Sequence, residues 1–130
     1  MKKRYELFIV YLLGAFGYGA LELLWRGRTH WSMLLLGGIC FVLIYLIVTE
    51  FRIAAWRTWL LSAAVITTLE FYCGCLVNLW LGWGVWDYSS LRWNLLGQIC
   101  PQYILLWLLL SVPCSGLAAG LKKLFRLFHA

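Results

Sequence analysis

The sequence has 130 residues, of which 64% are hydrophobic and only 12% are charged. Soluble globular domains carry about 25% charged residues, so this composition excludes a soluble enzyme, a disordered chain and a nucleic-acid-binding module. The net charge of +6 does not change that conclusion, because the 11 Lys and Arg residues are too few and too scattered to form a basic patch. The composition predicts a membrane protein.

Four apolar stretches follow one another along the chain, at residues 7–25, 31–49, 59–80 and 95–119. A helix that rises about 1.5 Å per residue needs about 20 residues to cross a hydrocarbon layer of about 30 Å, and each stretch is long enough. Short segments between them hold nearly all the charge. We therefore expect a single integral membrane domain over residues 1–130, with an all-α fold of four transmembrane helices.

The Lys and Arg residues predict how this bundle is oriented. If the spans alternate in direction, one side carries eight of them, at Lys2, Lys3, Arg4, Arg52, Arg57, Lys122, Lys123 and Arg126. The other side carries Arg26, Arg28 and Arg92. Because cytoplasmic loops carry the excess of basic residues, both termini are predicted to be cytoplasmic. The expected location is a cell membrane, crossed by several helices.

Tryptophan residues support the same boundaries. Six of them belong to the proposed outer side: Trp25, Trp31, Trp80, Trp83, Trp86 and Trp93. Tryptophan is enriched at membrane interfaces, so these side chains either anchor the protein or also form a cap over a site.

The C-terminal residues 121–128 alternate basic and apolar side chains at helical spacing. This pattern predicts a short interfacial helix that lies beside anionic headgroups. Its expected role is anchoring.

The first two spans resemble the last two. Leu21-Glu22 matches Leu69-Glu70, and the sequence GGIC at residues 37–40 matches GQIC at residues 97–100. The pattern predicts two repeated hairpins, related by a pseudo-twofold axis along the membrane normal. In that arrangement Glu22 and Glu70 face one shared cavity, whereas chance similarity is the alternative explanation.

Glu70 lies near the middle of the third span, where a charged side chain costs a few kcal/mol. Small and polar residues share its helix face, at Ala63, Thr67, Gly74 and Asn78. Glu22 lies near the outer end of the first span, four residues before Arg26, which favours an ion pair. The two carboxyl groups can carry protons, bind a cation or pair with arginine, or they only hold helices together through hydrogen bonds.

The two outer loops concentrate polar and aromatic residues, as RGRTHWS at residues 26–32 and WDYSSLRWN at residues 86–94. Arginine binds phosphate or carboxylate groups in a bidentate manner, and histidine titrates near neutral pH. In the fourth span, Asn94, Gln98 and Gln102 recur every four residues and predict a polar stripe. The candidate substrate- or ion-binding residues are Glu22, Arg26, Arg28, His30, Trp31, Glu70, Asn78, Trp86, Asp87, Tyr88, Arg92, Asn94 and Gln98.

Motifs for catalysis and cofactor binding are missing from the sequence. The five cysteines form no Cys-x-x-Cys pair, and there is no phosphate-binding Gly-rich loop and no His-Glu-x-x-His motif. We therefore predict no catalytic residue, no metal site and no cofactor, although an enzymatic role stays open.

Four motifs together resemble a known family. They are RGxTHWSM at residues 26–33, LGG at residues 36–38, WDYS at residues 86–89 and NLxGQIC at residues 94–100. This combination is similar to the ABC-transporter permease family of the CmpB type, over most of the four spans. The resemblance implies a small bacterial multi-pass membrane protein with a transport function.

The leading interpretation is a permease-like protein with a polar site between helices that opens to the outer face. One alternative is a non-catalytic membrane subunit that recruits a partner through its outer loops. A third is an intramembrane enzyme acting on lipid-linked substrates, with His30 and Asp87 as acid and base. Besides the lipid bilayer, the expected partner is a second copy in a homodimer or another membrane subunit, because four helices are few for a transport path. No nucleic acid partner is expected.

Overall fold

The computed structural model describes residues 2–129. In this range four α-helices follow one another: α1 (Lys3–Arg26), α2 (Trp31–Leu46), α3 (Ala55–Gly74) and α4 (Pro101–His129). Short π-helical segments extend α2 through Ile47–Phe51 and α3 through Cys75–Trp80. Four helical stretches are long and apolar enough to cross a membrane, at Lys3–Arg26, Trp31–Phe51, Ala55–Trp80 and Pro101–Phe128. The prediction of an all-α fold with four such helices is confirmed.

The fourth helix differs from its predicted range of 95–119. It begins at Pro101 because Leu96 and Gly97 have left-handed φ angles of 54° and 73°, and because Leu95 pairs with Ile99 in an isolated antiparallel bridge. A helix cannot pass through these conformations. Proline suits the first turn of a helix, where its missing N–H costs nothing. Residues 81–100, here called the cap segment, therefore join α3 to α4 without forming a helix.

Two expectations change with this boundary. Asn94 and Gln98 lie in the cap segment, so the predicted polar stripe of Asn94, Gln98 and Gln102 on one helix is wrong. The GGIC sequence at residues 37–40 is helical, whereas GQIC at residues 97–100 lies in the cap segment. The similarity of these two sequences is therefore not a similarity of backbone conformation.

Residues 121–128 are the last part of α4 and not a separate interfacial helix. Phe125 is buried, and its ring meets Tyr45 edge to face at 6.3 Å between centroids. Lys122 Nζ donates to Glu6 Oε2 at 3.3 Å, and the Tyr45 hydroxyl donates to the same oxygen at 3.0 Å. One face of this part of α4 packs against the bundle through Phe125 and Lys122, while Leu124, Leu127 and Phe128 on the rest of its surface are exposed.

Helix α1 packs along α2, and α4 packs along α3. The approach of α1 to α2 requires glycine: a Cβ atom on Gly37 would lie 2.6 Å from the Cβ of Tyr18, and one on Gly14 would lie 2.5 Å from the Cβ of Phe41. Small residues allow such close helix contacts in membranes. A buried apolar cluster then joins α1, α2 and α4 through Val10, Phe41, Ile44, Tyr45, Ala118 and Phe125.

The two ends of the bundle carry different side chains. Ion pairs of Lys3 with Glu50 and of Lys122 with Glu6 bring the start of α1, the end of α2 and the end of α4 together. We call this the basic end, because eight Lys and Arg residues lie at positions 2–4, 52–57 and 122–126. Arg26 contacts Val85 at the opposite end, where the cap segment lies. We call that the Trp-rich end.

Helix α4 continues through Pro113. Proline has no N–H group, so the helical hydrogen bond to the carbonyl group four residues earlier is missing. Ser111 Oγ donates to the carbonyl oxygen of Trp107 at 2.7 Å within the same turn region.

Replacing Gly37 by Ala should destabilise the protein, because the new methyl group meets the Tyr18 side chain on α1. The expected loss is about 1–3 kcal/mol of unfolding free energy, typical of overpacking. Thermal unfolding in detergent, followed by intrinsic Trp fluorescence, measures it. Gly116→Ala is the matched control, since nothing lies within 4 Å of its added Cβ and alanine is the better helix former. An unchanged melting temperature for Gly37→Ala would contradict the close approach of α1 and α2.

Candidate functional site

The Asn78 side chain, in the π-helical segment that ends the third span, holds the cap segment in place. Its Oδ1 accepts hydrogen bonds from the backbone N–H groups of Val85 at 2.6 Å and Trp86 at 3.3 Å. Its Nδ2 donates to Gln98 Oε1 at 2.8 Å. One amide therefore joins both halves of the cap segment to the end of the helix.

Further hydrogen bonds make the cap segment compact. The buried Trp86 ring donates through Nε1 to the carbonyl oxygen of Gln98 at 3.1 Å, and Gln98 Nε2 donates to the carbonyl oxygen of Leu96 at 2.9 Å. The Tyr88 N–H donates to the carbonyl oxygen of Gly97 at 2.7 Å. These bonds satisfy backbone groups that have no helical partner, as membrane depth requires.

Asn94 stabilises the turn within the cap segment. Its Nδ2 donates to the carbonyl oxygens of Leu91 at 2.8 Å and Ser89 at 3.2 Å, and its Oδ1 accepts from the N–H of Gly97 at 2.9 Å. All of its amide atoms are thus used in holding the loop. Asn78, Asn94 and Gln98 are therefore placed as supports of the site.

An outer cavity of about 590 Å³ lies under the cap segment, between the ends of α1 and α4. Glu22 and Arg26 form an ion pair on its wall, with 3.1 Å between Oε2 and Nη1. Arg26 Nη2 also donates to the carbonyl oxygen of Val85 at 2.7 Å, which attaches the cap segment to α1. The other polar or aromatic residues on this wall are Tyr18, Trp25, Arg28, Trp86, Asp87, Tyr88, Ser90, Tyr103 and Trp107.

A second cavity of about 350 Å³ lies deeper in the bundle, between all four helices. Its walls are almost entirely apolar, and Glu70 is the acidic residue that lines it. The outer and deep cavities share four wall residues, Tyr18, Leu21, Trp107 and Leu110. Glu22 and Glu70 therefore lie on two adjoining cavities and not on a single one.

Glu70 is 2% exposed, and its Oε1 has no hydrogen-bond partner among residues 2–129. The Trp107 indole and the Tyr88 hydroxyl lie beside this carboxyl group, and the Trp107 N–H is also without a partner in the described chain. Burial, followed by the charge of Glu70, raises the pKa of the Tyr88 phenol. Tyr88 consequently keeps its proton at neutral pH and stays able to donate it in a hydrogen bond.

The thirteen candidate residues separate into three groups. Those on the walls of the cavities are Glu22, Arg26, Arg28, Glu70, Trp86, Asp87 and Tyr88. Those that support the cap segment are Asn78, Asn94 and Gln98. The remaining three, His30, Trp31 and Arg92, line neither cavity.

His30 caps the start of α2. Its Nδ1 accepts a hydrogen bond from the N–H of Ser32 at 3.2 Å, and its ring packs against Trp31 and Trp83 at centroid distances of 5.5 and 5.7 Å. Asp87 instead accepts a bond from the N–H of Ser89 at 2.9 Å. Between residues 2 and 129 no hydrogen bond joins His30 to Asp87, so the structure does not assemble this acid–base pair.

The sequence analysis missed three aromatic residues of the site: Tyr18, Tyr103 and Trp107. Tyr103 stacks on Tyr88 with 4.5 Å between ring centroids, and Trp107 is buried at the junction of the two cavities. Tyr18 carried a signal, because it lies four residues before Glu22 on the same helix face. Trp107 carried none, since an aromatic residue inside an apolar span is ordinary.

Replacing Asn78 by Ala should release the cap segment, because the buried N–H groups of Val85 and Trp86 lose their acceptor. We expect hydrogen–deuterium exchange at these two amides to become about 10- to 100-fold faster, as for the loss of a buried hydrogen bond. The matched control is Gln102→Ala, which removes an exposed amide at the start of α4. Unchanged protection in the Asn78 variant would show that this side chain does not hold the cap segment.

Comparison with known proteins gives one result for this chain. Residues 26–125 match the family model described as "Putative ABC-transporter type IV". No curated protein and no solved structure matches the chain. The matched range contains α2, α3 and the cap segment in full and α4 as far as Phe125, whereas α1 lies outside it except for Arg26. Because this range covers most of its length, the chain belongs to the family of ABC-transporter type IV proteins of the CmpB type.

Proposed function

We propose that the protein is a permease-like transport protein whose site consists of the two adjoining cavities and opens at the Trp-rich end. Membership of a transporter-related family and four membrane-crossing helices support a transport role. The observation that carries the proposal is Glu70, a buried carboxyl group on a cavity at membrane depth. Ionisable groups in such positions are costly and usually belong to ion or substrate pathways.

Glu70 and Glu22 act in this proposal as proton- or cation-binding groups. Each has a carboxylate oxygen without a partner in the described part of the chain. Tyr18 lies on the walls of both cavities, together with Glu22 in the outer one and Glu70 in the deep one. The route proposed for a proton that enters at the outer cavity runs from Glu22 to Glu70 along this shared wall.

The arginines of the outer cavity serve the anionic part of a substrate. Arg26 is already held by Glu22 and Val85, whereas Arg28 forms no ion pair within residues 2–129 and has its guanidinium available. Trp86 and Tyr88 line the opening beside them. This arrangement fits a site that accepts a charged group from the Trp-rich side.

The same proposal includes orientation and assembly. The basic end faces the cytoplasm, following the excess of Lys and Arg there, and α1–α2 and α3–α4 act as two related hairpins. A second copy or another membrane subunit completes the transport path, since one chain contributes only four spans.

A fusion at the C-terminus tests the orientation. Green fluorescent protein attached there should fluoresce and alkaline phosphatase should be inactive, because the first matures in the cytoplasm and the second needs the oxidising exterior. The same reporters fused within the cap segment, after Ser90, should give the opposite result. Active phosphatase at the C-terminus would invert the proposed topology.

Replacing Glu70 by Gln should abolish proton movement, because an amide of the same shape cannot take up a proton. The purified protein is placed in vesicles that contain a pH-sensitive dye, and a potassium gradient with valinomycin drives proton entry. We expect the wild type to exceed protein-free vesicles and the Glu70→Gln variant to equal them.

Glu50→Gln is the matched control, because Glu50 is an exposed carboxylate paired with Lys3 at the basic end. It should behave as the wild type, while Glu22→Gln should be reduced. Full proton entry in Glu70→Gln at equal protein incorporation, or none in the wild type, would refute the role given to Glu70.

A further inference from the structure

Between α1 and α4 the walls of the two cavities include exposed side chains, and we call this gap the lateral window. At the basic end, the buried apolar cluster that contains Val10, Ala118 and Phe125 closes the window. At the Trp-rich end, Trp25 Nε1 on α1 donates a hydrogen bond to the Tyr103 hydroxyl on α4 at 3.4 Å. The side chains along its rim include Leu13, Leu21 and Leu117, all of which are exposed.

The length of the window corresponds to one leaflet of a bilayer. On α1 it runs from Leu13 to Arg26, which is about 20 Å at about 1.5 Å per residue. Half of a bilayer of about 40–45 Å, headgroups included, has the same thickness. The deep cavity is almost entirely apolar and the outer cavity carries charged side chains on an otherwise apolar lining, so polarity increases along the window as it does along a lipid molecule.

The charges at the mouth of the window favour one kind of headgroup. The Glu22–Arg26 pair is neutral as a unit. Two further charged side chains line the outer cavity, Arg28 and Asp87, and neither forms an ion pair with another residue in the range 2–129. One unpaired cation and one unpaired anion on the lining of the same cavity complement a group that itself carries both charges.

We propose that the window binds a membrane phospholipid with a phosphoethanolamine headgroup, its phosphate at Arg28, its ammonium at Asp87 and an acyl chain in the deep cavity. Arginine donates two parallel hydrogen bonds to a phosphate, and a primary ammonium donates hydrogen bonds to a carboxylate. A trimethylammonium group has no N–H to donate, and a glycerol headgroup has no positive charge. The inference rests on the proposed function, which it deepens by naming the class of substrate.

Native mass spectrometry in a mild detergent tests this binding directly. The wild-type protein is titrated separately with phosphatidylethanolamine, phosphatidylcholine and phosphatidylglycerol of identical acyl chains. We expect one phosphatidylethanolamine per chain, with an apparent Kd about tenfold below those of the other two lipids.

Two substitutions address the two parts of the lipid. Gly17 lies on the deep cavity with nothing within 4 Å of an added Cβ, so a leucine there fits the helix. Its side chain fills part of the deep cavity, and in Gly17→Leu lipid binding should therefore fall about tenfold. Gly116→Leu is the matched control, because Gly116 is equally open but does not line the cavity. Asp87→Asn keeps the Oδ1 acceptor for Ser89 and should remove the preference for phosphatidylethanolamine over phosphatidylcholine.

Several results would overturn the proposal. They are equal binding of the three lipids, a preference for phosphatidylglycerol, unchanged binding in Gly17→Leu, or a lipid-free dimer that this substitution dissociates. Failure of the proposed transport role gives a different result from failure of the lipid site, because lipid binding is measured in detergent and proton entry in vesicles. Selective lipid binding with no proton entry would leave the lipid site and remove the transport role, whereas proton entry without selective binding would do the reverse.

Discussion

The structure depends on how one amide completes the hydrogen bonds of the chain where it leaves the third membrane-crossing helix. Buried irregular backbone is tolerated only where protein or water satisfies its polar groups. The Asn78 side chain accepts from two backbone N–H groups of the cap segment and donates to Gln98. Through these bonds the cap segment stays folded over the bundle, and the outer cavity exists because the cap segment forms its roof.

The three buried glutamate residues, at three depths of the bundle, have different partners. At the basic end Glu6 accepts bonds from both Tyr45 and Lys122, and near the Trp-rich end Glu22 pairs with Arg26. Both contacts tie elements together, because Arg26 also reaches Val85 in the cap segment. Glu70 lies between these depths and has no cationic partner among the described residues. Its carboxyl group lies beside the Trp107 indole and the Tyr88 hydroxyl on the wall of the deep cavity, and both of these neighbours are uncharged.

Hydropathy predicted three of the four spans closely because their ends coincide with charged or tryptophan residues. It failed at the start of α4 because Leu95, Leu96 and Ile99 are as apolar as a span. The backbone there is held instead by bonds of Gly97 and Gln98 to Tyr88, Trp86 and Asn78. The Glu22–Arg26 pair followed from its four-residue spacing. The support role of Asn78 and the position of Trp107 required the tertiary structure, since no local pattern separates a buried hydrogen-bonding amide from a ligand-binding one.

Pro113 divides α4 into two halves with different neighbours. The half towards the C-terminus carries Ala118, Lys122 and Phe125, which fasten it to α1 and α2. The half towards the N-terminus carries Tyr103 and Trp107, which form a wall of the cavities. Because the helix lacks one hydrogen bond at this proline, it bends there most easily. A bend at Pro113 would therefore shift the Tyr103 and Trp107 wall of the cavities relative to the anchored C-terminal half, and it would break the hydrogen bond from Trp25 to Tyr103.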